Sequence, residues 1–317
     1  MLFRSIIFLV RLIVGLIRGS GKAIRSILKC TSAVLFFVAF YTMTVGFGYT
    51  RQPVQMPEYT PTTRDEAVEL AVRYFDEVSE LCARLDYDEN SRPICPYTHA
   101  ELTEIVEREY SRLVREFPEY CDVLYDGTVP VKTLVNSWLL SESNIAGIYS
   151  GPTGEANVNA DMPMSNAVWT ACHEVAHGKG ILKEDEANAF AYLIVLTAED
   201  DFLRFSGVVM TYTKMQDVLY YYDRELYDDI VSARHPSVLT EHWAQYNFWK
   251  EHGKIADFAE SINDLYLKLS GYFKGVGGYK DPSVVTPSVN PDTGETEYEI
   301  TYSTTQKMIF ALLKREA

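Results

Sequence analysis

The first fifty residues contain no acidic side chain, and the rest of the chain is short of basic ones. Residues 1–50 carry Arg4, Arg11, Arg18, Lys22, Arg25 and Lys29, leaving 23 basic against 44 acidic side chains in residues 51–317. A body with a net charge of −21 repels phosphate backbones, so nucleic acid is not expected as a partner. Cysteine is scarce as well: five in 317 residues, in no zinc-finger spacing. Cys30 borders an apolar run and Cys172 sits inside another. That leaves Cys82, Cys95 and Cys121 for at most one disulfide, and only in an oxidising compartment. There is no phosphate-binding glycine loop, no GxSxG elbow and no internal repeat, which argues against nucleotide-driven and serine-hydrolase chemistry.

Of only six histidines, two fall four residues apart in Trp169-Thr170-Ala171-Cys172-His173-Glu174-Val175-Ala176-His177. On a helix, residues i and i+4 share a face, so His173 and His177 can bind one metal ion together. Two neutral imidazoles suit zinc, which in catalytic sites takes a third protein ligand and keeps one position open for water. Glu174, next to His173, is placed to act as general base on that water. Two surface histidines on an amphipathic helix are the bland alternative, but that needs a polar flank, and 168, 169, 171, 172, 175 and 176 are all apolar or small.

No histidine follows His177 until His235, so the third ligand is expected to be a carboxylate. Gly178 and Gly180 can end the helix and turn the chain into a second one beginning near Glu184. Glu184 is the preferred ligand, with Asn188 one turn on supporting it from behind. Glu186, about half a turn away, is the alternative. Tyr266, Tyr221 and His242 are candidates for stabilising a transition state, although tyrosines at helical spacing are more commonly packing residues.

At the amino terminus, residues 1–30 read as a basic amphipathic or membrane-embedded segment, with arginines every seven residues from Arg4 to Arg25. Residues 31–50 are uncharged and read as a transmembrane helix. Charge asymmetry then places 51–317 outside the cell, with the lipid bilayer as a partner. Thr63-x-x-Glu66 and Thr98-x-x-Glu101 are helix-start signals, the second opening a helix to about Phe117. Val131–Leu140 is a short apolar segment. IAGIY and ANVN, at 145–149 and 156–159, read as short strands, either an ordinary hairpin or an edge able to pair with an extended peptide. Helices are expected over 205–222, 225–233, 236–252 and 255–269, then a hairpin about Thr293-Gly294 and a last helix over 303–314.

The pattern HExxHxxGxxxExEAN resembles the core of an uncharacterised bacterial family, a domain of unknown function of membrane-anchored zincin-like proteins. Two further segments strengthen the likeness: TGEAN at Thr153–Asn157 and NDxYLK at Asn263–Lys268. The exit from the apolar run, Gly48-Tyr49-Thr50-Arg51, is also similar. The likeness covers most of residues 45–280, and the chain departs from it in a shorter amino terminus and in Gly178-Lys179. It implies a zincin fold and a peptidase activity. The ExxAN arrangement is similar to that of HExxH membrane proteases, which implies zinc binding by Glu184.

Together these readings predict an α+β, mostly helical, zincin-like metallopeptidase domain on an amino-terminal transmembrane anchor, acting with one zinc ion on peptide or protein substrates. A catalytically silent zincin-fold binding module and a zinc hydrolase of non-peptide amides are the alternatives.

Overall fold

The computed structural model describes residues 21–45, 49, 51–269, 272–291, 294 and 296–315. Helix α1 (Gly21–Val45) corrects the expected anchor: among the described residues, no helix is long and apolar enough to cross a membrane. Lys22, Arg25 and Lys29 occupy the first third of α1, so basic side chains interrupt it and only the part from Cys30 onward is uncharged. Residues 1–20, most of the proposed amphipathic segment, lie outside the described residues, as do 46–48 and 50 at the far end of the expected span.

Beyond α1 the described residues are α-rich with two small sheets. Helix α2 (Arg64–Arg84) starts where Thr63 Oγ1 accepts from Glu66 N–H, and buries Ala67, Leu70, Tyr74, Phe75, Val78 and Leu81 along one face. A reciprocal cap between Thr98 and Glu101 opens the next segment. Its first turn is 3₁₀, and helix α3 (Leu102–Glu116) follows. A short helix, α4 (Pro118–Cys121), comes next. The apolar segment expected over 131–140 divides into strand β1 (Val131–Thr133) and helix α5 (Ser137–Glu142).

Strands β2 (Gly147–Ser150) and β3 (Glu155–Val158) form the anticipated hairpin, and β1 joins β3 in parallel, giving the order β1-β3-β2. β2 is therefore an edge strand. Helix α6 (Met164–Gly178) carries the histidines and packs on this sheet. It is followed by α7 (Glu184–Thr197), α8 (Asp201–Tyr222), α9 (Arg224–Ala233), α10 (Pro236–Glu251) and α11 (Ala256–Leu269). A 3₁₀ turn (Gly275–Tyr279), the hairpin β4 (Val284–Val289) and β5 (Thr296–Thr301), and helix α12 (Thr304–Arg315) complete the fold.

One hydrophobic core joins α3, β3, α6 and α7, with Val158, Val168, Val175, Phe190 and Leu193 fully buried. Another joins α2, α8 and α12 through Phe75, Phe205, Met215 and Phe310. Tyr110 of α3 donates its hydroxyl to the Cys172 carbonyl at 2.9 Å, fixing α3 against the back of α6. Lys179 does the same at the end of α6: its buried ammonium donates to Glu107 and to the Gly127 carbonyl, each at 2.8 Å. All five cysteines are free thiols, so the single disulfide considered among Cys82, Cys95 and Cys121 is not formed.

Candidate metal centre

The site is assembled by the end of α6. Gly178 is its last helical residue, Lys179 caps it, and Gly180 adopts φ +100°, the left-handed conformation that glycine reaches without strain. Gly180 N–H then bonds the His177 carbonyl and Ile181 N–H the Ala176 carbonyl, both at 3.0 Å, the paired closure of a Schellman turn. That turn aims the Ile181 carbonyl back at the helix, where it accepts from His177 Nδ1 at 2.7 Å. It also delivers the chain into α7, whose first residue is Glu184, at the end of the helix dipole that favours an anion.

His173 Nε2 and His177 Nε2 lie 3.1 Å apart, and Glu184 Oε2 lies 3.3 Å from the first and 3.4 Å from the second. Their side chains are 7, 10 and 7 % exposed. With its proton on Nδ1 in the bond to Ile181, neutral His177 presents a lone pair at Nε2. Glu184 Oε2 is an orphaned buried acceptor facing it. Lone-pair carriers this close require a cation between them, either a proton or a metal ion. The spacing matches the latter: ligands about 2.0–2.1 Å from a tetrahedral ion are about 3.3 Å from each other. This buried His-His-Glu group could hold a metal ion.

The surrounding charges act in opposite directions on the two carboxylates. Burial works to raise Glu184, but the two imidazoles outweigh it and hold the carboxyl well below its ordinary range. Burial likewise works to lower His177, yet the charge and hydrogen bond of Glu184, with help from Glu174 and the Ile181 carbonyl, raise it to about 9. Glu174 is raised, chiefly by burial and despite both histidines. A carboxylate kept basic beside one kept ionised is the division of labour expected of a proton acceptor and a ligand.

Glu174 owes its place to the edge strand. A Cβ on Gly147 would come within 2.8 Å of Glu174 Cγ and Oε1 and 2.6 Å of Thr170 Cγ2, so only glycine lets β2 approach α6 this closely. The Tyr149 backbone N–H bonds the Glu174 carboxylate. Ala146 pairs with β3 through its carbonyl, which accepts from Asn159 N–H at 2.8 Å. By the alternation of an antiparallel ladder, 147 and 149 then turn their backbone groups to the free edge, over the site.

Residues 1–283 match the model of a family described as Protein of unknown function (DUF3810). The chain belongs to this family. The matched span includes the histidine helix, Glu184 and the NDxYLK segment, and stops one residue ahead of β4. No curated protein and no solved structure matches the chain.

The other candidates are placed elsewhere. Glu186 pairs with Arg51 at 2.8 Å and Lys183 at 3.2 Å and accepts from Val54 N–H, fastening the 51–54 segment rather than facing the histidines. Among the described residues, the side chain of Asn188 makes no hydrogen bond to the Glu184 carboxylate or to either histidine, and its tie to Glu184 is the ordinary backbone bond of the helix. Tyr221 packs on Tyr220 and Tyr298, and His242 is exposed beside Trp243. The side chain of Tyr266 lies outside the described residues. Sequence reasoning did not single out Gly147, Ile181 or Tyr279. The Tyr279 hydroxyl lies beside Glu184 and close enough to Glu174 to feel its charge. Nothing local in the sequence marks it, since the turn that carries it is remote from the histidines.

Proposed function

We propose that the chain is a zinc-dependent hydrolase of peptide bonds, with His173, His177 and Glu184 holding the ion and Glu174 acting as general base. The observation that carries this reading is the convergence of three buried lone-pair donors at tetrahedral spacing beside a carboxylate whose pKa is raised. Two imidazoles and one carboxylate form a donor set suited to zinc. Zinc, when bound, supplies Lewis acidity, lowering the pKa of water toward about 7 and polarising a carbonyl.

The chain's own residues do the rest. Glu174 takes a proton from water as its oxygen bonds to the substrate carbonyl carbon, then returns that proton to the departing nitrogen as the C–N bond breaks. Glu174 is held for this between the Tyr149 N–H and the glycine edge of β2. The outer edge of β2 favours a peptide over other amides, because an extended chain can pair with the outward backbone groups of Gly147.

Metal analysis of purified protein tests the reading. About one zinc per chain in the wild type, lost in His173→Ala, is the expected result. Protein that stays metal-free after zinc addition contradicts it.

A further inference from the structure

The NDxYLK segment is not explained by the metal group itself, and the structure gives it a task. It lies on α11, and its polar residues hold the turn at 272–280. Asp264 Oδ1 accepts from Val276 N–H at 3.2 Å while Oδ2 takes the Lys268 ammonium at 2.6 Å. Gly275 sits against this carboxylate with φ +55°, and a Cβ there would lie 2.0 Å from Asp264 Oδ1, so both the conformation and the space demand glycine. Tyr272 N–H bonds the Leu267 carbonyl at 2.9 Å, and Leu267, Tyr272, Leu182 and Val276 pack together. On its other side the turn is tied to the start of α7 by the ion pair of Lys274 with Asp185, the neighbour of Glu184.

Tyr279 ends this braced turn. Asn263 Nδ2, from the first position of the motif, donates to the Tyr279 hydroxyl oxygen at 3.2 Å. A phenol that accepts at its oxygen keeps its own proton free to donate in another direction. That proton is directed at the metal group: the hydroxyl donates to the Glu184 carboxylate and lies within the field of Glu174, so a developing oxyanion would take over the bond now made to Glu184.

We propose that Tyr279 donates a hydrogen bond to the negative charge that develops on the substrate carbonyl oxygen, and that Asn263 is the positioning residue that aims it. The proposal rests on the hydrolase reading above. A preorganised donor at such an oxygen contributes on the order of 10²-fold in turnover. Asn263 does not touch the substrate, so its effect must run through Tyr279.

The test uses the full chain loaded with zinc, and loaded with cobalt for its visible spectrum. Wild type, Tyr279→Phe, Asn263→Asp and the double variant are compared for metal content, kcat and KM on labelled casein, and affinity for inorganic phosphate as a tetrahedral oxyanion. All should hold the same metal and show the same cobalt spectrum without phosphate. Tyr279→Phe should lower kcat on the order of 10²-fold with KM within about threefold, and weaken phosphate about tenfold. Asn263→Asp, nearly isosteric but accepting the phenol proton, should reproduce both losses, and the double variant should be no worse than Tyr279→Phe. Wild-type phosphate affinity in Tyr279→Phe overturns the proposal even if casein is not cleaved. A cobalt spectrum altered by that substitution alone also overturns it, because Tyr279 would then be a ligand. A wild type that takes up no metal overturns the hydrolase reading instead.

Discussion

His177 Nδ1 donates to the carbonyl oxygen of Ile181 at 2.7 Å, a bond closed by the turn at the end of the same helix. The partner is a backbone atom, so the tautomer of His177 is set by chain geometry and not by another side chain. The conformation of Gly180, three residues after His177 and four before Glu184, thus governs one ligand's ring and the path to another.

Gly180→Ala is expected to cost about 1–2 kcal/mol of stability, because alanine is strained at φ +100°. It should also weaken zinc binding about 10- to 100-fold, the usual consequence of disturbing the partner of a ligating histidine. Denaturant unfolding and competitive metal titration measure the two effects, and unchanged metal affinity would show that the turn does not govern His177.

Gly147→Ala should act on the base and spare the ligands. Its methyl group would enter the space of Glu174 and Thr170, with about 1–3 kcal/mol of overpacking. Zinc content should stay at the wild-type level while kcat drops at least about tenfold, toward the value of a Glu174 variant. Wild-type turnover in Gly147→Ala would rule out the contact as a determinant of Glu174 placement.

The two carboxylates of α7 should separate cleanly. Glu184→Gln is expected to lower zinc affinity by at least about 10²-fold, as removal of a direct ligand should exceed the loss of a supporting residue. Glu186→Gln should leave it within about threefold and cost about 1–2 kcal/mol by loosening the bond to Arg51. Isothermal titration of both variants decides the assignment, and the reverse ranking would make Glu186 the ligand.

Metal-free protein should depend on pH in a way the loaded protein does not. His177 is raised from 6.5 to about 9, so the stability it contributes is complete below 6.5 and is lost as pH rises through 9. Glu184 is lowered from 4.5, so its contribution is complete above 4.5 and is lost only as pH falls through the depressed value. Chelated protein should therefore be most stable between about pH 4.5 and 6.5 and lose several degrees of Tm by pH 9. Metal affinity should rise over the same interval, since the ligands must shed a proton. A flat Tm from 6.5 to 9 in chelated protein would contradict the charged His177–Glu184 pair.

Much of the fold was legible because burial follows period. The apolar positions from Ala67 to Leu81 lie on one buried face, and the hairpin around 151–154 sits between two strands marked by their turn residues. Val131–Leu140 was not divisible from sequence, since an uninterrupted apolar run fits a strand and a helix equally well. The anchor was misread because the lack of charge over 31–50 was taken as the length of a helix, whereas α1 begins at Gly21 and spends its first turns on basic residues. In the site, the histidine pair followed from spacing alone. The distinction between Glu184 and Glu186 did not, because it depends on Arg51 and Lys183 capturing the latter. Tyr279 was invisible for the same reason: its link to the site runs through Asn263 and the packing of a remote turn.

Zinc-loaded wild type and Glu174→Gln, incubated with the same protein mixture and read by the new amino termini they create, test the central claim most directly. The account predicts new termini from the wild type and at least about 10²-fold fewer from Glu174→Gln carrying equal zinc. Termini appearing at the same rate from both would contradict it.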